Sequence, residues 1–102
     1  MSLAAMRWAW RQRGVGLAAR LVLLALADHA DERGECWPSL SRLAERADVD
    51  RRTVTRALEQ LQARGLIERE SRAHRSNRYR LGMDPPAQAG QGGGDRLGAS
   101  RP

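Results

Sequence analysis

The chain has 102 residues and a mass of 11.3 kDa, with 18 basic and 12 acidic residues, a formal net charge of +6 and one cysteine. That length holds one small domain and leaves little room for an elaborate active site beside its core. A single cysteine excludes an internal disulfide framework and suits a reducing compartment, and the longest unbroken apolar run, Leu21 to Ala27, is far too short to span a membrane.

Met1–Arg20 lacks the basic start, apolar run and small-residue cleavage site of a signal peptide. Leu3 to Arg11 reads as a short helix carrying Trp8 and Trp10, which face nearly opposite ways at that spacing. Either both indoles cover the domain's own core, or one meets a partner. Leu17 to about Ala30 is a Leu- and Ala-rich helix without internal Gly or Pro. Its apolar residues surround more than one stripe, as expected of a central buried helix. Glu35-Cys36-Trp37-Pro38 is a short extended piece, because the residue before proline disfavours helix. Ser39 caps a helix over Leu40–Ala47 with the apolar stripe Leu40, Leu43, Ala44 and Ala47. After Asp48-Val49-Asp50, Asp50 caps a second helix from Arg51 to about Arg64, with the stripe Val54, Ala57, Leu58 and Leu61; Gly65 stops it. Leu66 to Glu70 and Arg78 to Leu81 are strand candidates around a polar turn, Ser71 to Asn77, with Tyr79 and Leu81 on one face. Trp37 and Tyr79 are expected in the core. From Pro85 onward the sequence holds three of the four prolines, five glycines and one large aliphatic residue. That composition predicts a disordered tail or linker over 84–102 behind a domain over 1–83.

The charge is local. Residues 1–50 hold seven arginines and seven acids, and residues 81–102 hold two of each. Residues 51–80 hold nine arginines against three glutamates, which is the whole +6. Genomic base composition would explain why every base is arginine. It does not explain why the excess falls in 30 residues. A basic segment on a neutral body points to an anionic partner, nucleic acid first among them.

The two capped helices joined by a three-residue turn form a helix-turn-helix candidate, with Val49 plugging the turn and Asp48 taking a left-handed conformation. An ordinary helical hairpin would share that apolar pattern. The outer face of the second helix separates the two. Arg51, Arg52, Thr53, Thr55 and Arg56 crowd its first turns without an acid, against the helix dipole. Phosphates or guanine edges at that end offset the cost. Ser39 and Ser41 add contacts at the start of the first helix. Arg72, His74, Arg75, Asn77 and Arg78 make the hairpin a basic wing, with Arg69 and Arg80 equally assignable to plain surface and Asn77 to shaping the turn. An edge hairpin kept soluble by charge is the plainer alternative.

This order of helix, short strand, two helices and hairpin resembles the winged helix-turn-helix superfamily. DVDRRTVTRALEQLQARGLIERE looks like the recognition helix and first wing strand of GntR-type regulators. LVLLALADHADERGECWPSLSRLAERADVDRRTVTRALEQL, with SNRYRL in the wing, is similar to helix-turn-helix modules of phage and plasmid replication proteins. The resemblance covers roughly Leu17 to Leu81. It implies a mainly α fold with a small β wing and double-stranded DNA as partner. It gives Arg51, Arg52, Thr53, Thr55 and Arg56 the base-reading role and Arg75 with its neighbours the wing role. The expected function is sequence-specific transcriptional regulation, with a replication-initiator module and a protein-docking winged helix as alternatives. A homodimer would form through residues 3–30. The expected location is cytoplasmic, on the nucleoid. No catalysis, cofactor or metal is expected: GQGGG has no strand ahead of it, and Cys36, His29 and His74 lack metal-ligand spacing.

Overall fold

A computed structural model of the chain describes residues 2–83. The expected tail over 84–102 lies outside the described residues. Four helices and three strands follow in the order α1 (Leu3–Arg11), α2 (Leu17–His29), β1 (Glu35–Cys36), α3 (Leu40–Ala47), α4 (Arg51–Ala63), β2 (Ile67–Glu70) and β3 (Arg78–Leu81).

The scarcity of polar residues in α2 decides the packing. Ala19, Val22, Leu23, Ala25, Leu26 and Ala27 are all buried, and α2 touches α1, α3, α4, β1 and β3. No single amphipathic stripe could meet that many neighbours. The α3 stripe (Leu43, Ala44, Ala47) and the α4 stripe (Val54, Ala57, Leu58, Leu61) are buried in the same core. Leu40 and Val49 are partly buried against it.

Local chemistry fixes the α3–α4 turn. The Ser39 hydroxyl accepts from the Arg42 backbone N–H at 3.0 Å, opening α3. The Asp50 carboxylate accepts from the Thr53 N–H at 2.7 Å, opening α4. Between them Asp48 is left-handed, at φ 59 and ψ 46. The Val49 N–H donates to the Ala44 carbonyl at 3.0 Å, using one of the last acceptors of α3.

The hairpin carries a third strand. The antiparallel sheet has the order β1-β3-β2, with Cys36 opposite Tyr79 and Ile67 opposite Leu81. Cys36, Tyr79, Ile67 and Leu81 are buried, so one face of this small sheet closes the core. The result is a winged helix-turn-helix, mainly α with a small β wing. Tyr79 is in the core as expected. Trp37 is not: it is 43% exposed. Side chains alternate along an extended segment, and because Cys36 points inward, its neighbour points out. The N-terminal tryptophans divide in the way their spacing allows, with Trp8 packed on the core and Trp10 exposed. No helix among the described residues is long and apolar enough to cross a membrane.

The left-handed turn gives a direct test. Asp48→Val should lower unfolding free energy by about 1–2 kcal/mol in urea titrations, because a β-branched residue is strained at positive φ. Asp48→Gly should cost nothing comparable.

Candidate nucleic-acid interface

Three basic or polar ends converge. The N-terminus of α3, the N-terminus of α4 and the tip of the β2–β3 hairpin border one open cleft of about 510 Å³. It brings together Ser39, Ser41, Arg51, His74, Arg75 and Asn77, residues separated by up to 38 positions in the chain. Leu40, Pro38 and Ser76 complete the lining with the edge of Tyr79. Nothing in their residue types marked these last positions.

Other predicted residues lie outside the cleft lining. Arg52 and Arg56 are exposed on α4, one turn apart. Thr53 and Thr55 are half-buried. The Thr55 hydroxyl donates to the Arg51 carbonyl at 3.1 Å, so its proton is already used within the helix and its lone pairs remain. The wing tip is a tied turn. Arg72 donates through Nε to the Ser76 carbonyl at 2.9 Å, and His74 sits in a left-handed conformation, φ 61, between them.

The structure divides the arginines that the sequence had grouped. Arg78 lies 2.9 Å from Glu70 and 3.7 Å from Glu35. Arg80 lies 3.3 Å from Glu35 and 3.9 Å from Glu68. Arg64 donates to the Arg13 carbonyl at 3.2 Å, far from the cleft. Arg72 is committed to the tip. Arg51, Arg52, Arg56 and Arg75 are exposed and have no carboxylate or carbonyl partner among the described residues. Of the exposed arginines on α4 and the hairpin, these four, at the start of α4 and the wing tip, are the ones whose charge is left uncompensated among the described residues. Glu35, which reaches two wing arginines, had no sequence signal of its own, since a two-residue strand shows no period.

Asp50 keeps its negative charge in this basic setting. The Thr53 backbone N–H holds its carboxyl below the usual carboxylate range, the Thr53 hydroxyl adds to this, and Arg52 and Arg56 contribute further. Burial, with Asp31 nearby, pushes the Cys36 thiol up to about 12, so it stays a neutral core group rather than a nucleophile or ligand. No group of three or more His, Cys, Asp or Glu among the described residues could hold a metal ion.

Residues 16–67, just over half the chain, match the family described as Helix-turn-helix domain. The chain belongs to the helix-turn-helix domain family. The matched span runs from the glycine that starts α2 to the first residue of β2, so this helix-turn-helix domain includes α2, α3 and α4, and the rest of the wing follows it. Over 59 residues the chain is 32% identical to Protein YmfN of Escherichia coli (strain K12). That stretch is 58% of this chain but 13% of YmfN, which is a much longer protein. No solved structure matches.

The Asp50 cap should show in the pH dependence of stability. A carboxyl lowered in the folded state stabilises fully above its unfolded pKa and stops doing so as pH falls through its folded pKa. Thermal melts of wild type and Asp50→Ala should differ at neutral pH, with wild type the more stable. The gap should close as the solution is acidified through the lower carboxylate range.

Proposed function

We propose that this helix-turn-helix domain binds double-stranded DNA with sequence preference, placing α4 in the major groove and the β2–β3 wing on the neighbouring backbone. The observation that carries this reading is the shared cleft, into which helix-turn-helix and wing both bring basic and polar side chains while the competing carboxylates are engaged elsewhere. A major groove about 12 Å wide admits one α-helix, and α4 presents its N-terminal turns as recognition helices do. Arg52 and Arg56 are assigned to base edges, where a guanidinium can grip guanine bidentately. Arg51, Arg75 and His74 are assigned to phosphates beside the cleft, and Ser39, Ser41 and Asn77 to hydrogen bonds along the same strand. Thr53 and Thr55 sit at the flank of the reading face. Arg72 and Arg78 serve DNA indirectly, by shaping and bracing the wing.

The role is non-catalytic, and transcriptional regulation is the first reading, in line with the resemblance to GntR-type regulators. The replication-protein resemblance supports a second reading, a DNA-binding module within a longer protein. The observation favouring it is YmfN, where the related stretch is 13% of the chain.

Binding to a random duplex should be readily detected at low salt. With two phosphate-directed arginines, Arg51 and Arg75, log affinity should fall against log salt with a slope of about −2. The sequence alone, counting every wing arginine, would predict a slope nearer −5 to −6 from ~5–7 contacts. A slope near zero would contradict the charge argument, and no binding at all would favour a protein-docking role. In selections from a random pool, Arg52→Ala or Arg56→Ala should relax sequence preference. Arg75→Ala should weaken all sequences alike and reduce the salt slope by about 1.

A further inference from the structure

Trp37 is explained neither by the core nor by the recognition cleft. A large indole left 43% exposed forgoes burial energy that its neighbour Cys36 takes in full. It stands on a second open cleft with His29, Pro38, Ser39, Arg42 and Ser76. Pro38, Ser39 and Ser76 also line the recognition cleft. The two surfaces are therefore continuous around the start of α3 and the wing tip. Arg42 is exposed and forms no ion pair among the described residues. Of the two acids bordering the adjoining surface, Asp28 and Glu45, Asp28 is held by Arg46 at 2.7 Å.

We propose that Trp37 and Arg42 form a second DNA contact, on the sugar-phosphate backbone of the duplex that flanks the recognized site. The proposal rests on the duplex-binding reading above. A DNA backbone supplies both chemistries that this pair can use. Its phosphates suit the Arg42 guanidinium, and the carbon face of deoxyribose suits an indole, whose N–H can also donate to a phosphate oxygen. A single ring among polar groups is a poor match for a docked protein, which would need a contiguous apolar patch. His29 has its Nδ1 engaged with the Ala25 carbonyl at 2.9 Å and is a wall of this cleft rather than a required contact. Continuity with the main cleft means that one bound duplex reaches both surfaces, so the second contact lengthens the footprint past the wing tip.

The test uses a duplex trimmed to the selected site and another extended by about one helical turn, roughly ten base pairs, at each end. Wild type should bind the extended duplex about tenfold more tightly. Trp37→Ala should abolish that gain and leave affinity for the trimmed duplex unchanged. Trp37→Phe, which keeps an apolar ring, should retain most of the gain and guards against a folding artefact. Arg42→Gln should lower the salt slope by about 1 on the extended duplex only. Equal behaviour of wild type and Trp37→Ala on both duplexes would overturn this proposal and leave the duplex-binding reading standing. Failure of wild type to bind either duplex would instead overturn that reading, and this proposal with it.

Discussion

Everything functional in this domain hangs on the burial of one helix. α2 has few polar side chains, so it must be covered on most of its circumference, and α1, α3, α4 and the sheet provide that cover. The cleft exists because α3, α4 and β3 are all fixed against this common core. β3 brings the wing tip back beside the two helix N-termini through the pairing of Cys36 with Tyr79 and the burial of Leu81. Loosening α2 would therefore separate groups that never touch it.

The second constraint is the pairing of charge. An arginine beside a carboxylate in its own sheet is partly neutralised before any ligand arrives. Glu35, Glu68 and Glu70 act this way on Arg78 and Arg80. Exposed pairs of this kind contribute little to stability, but they fix where side chains stand and which charges remain free. Among the exposed arginines of α4 and the hairpin, those left free are Arg51, Arg52, Arg56 and Arg75. The helix dipole disfavours cations at the start of α4, and Asp50 compensates there while capping the helix. A domain selected for stability alone would place acids in that turn. The basic choice makes sense as binding chemistry.

Much of the architecture was legible in the residues, for identifiable reasons. α3 and α4 carry the Ser39 and Asp50 caps and clean apolar stripes, Gly65 stops α4, and α2 is a Leu- and Ala-rich stretch after Gly16, so α1, α3 and the left-handed Asp48 turn fall at the expected residues, and α2 and α4 end within one residue of expectation. The face of α4 followed from the same periodicity. β1 reads from sequence only as an extended piece, because pairing of two residues depends on a partner 43 positions away. For Trp37 residue type favours the core, whereas strand alternation next to the buried Cys36 turns it outward. Likewise, composition cannot tell Arg75 from Arg78, because the carboxylates that separate them come from β1 and β2. The convergence of Ser39, Arg51 and Arg75 on one cleft was implied by the winged resemblance, but the lining itself is a tertiary property.

The central claim is that one contiguous surface, the α4 N-terminus with the wing tip and the start of α3, meets duplex DNA. Its most direct test is a backbone amide NMR titration of the chain with a short duplex. The largest shifts should fall on Ser39–Ser41, Arg51–Arg56 and His74–Asn77, and diminish as salt is raised. Shifts confined to the exposed face at Leu3, Trp10 and Leu17, with α4 and the wing unmoved, would contradict it.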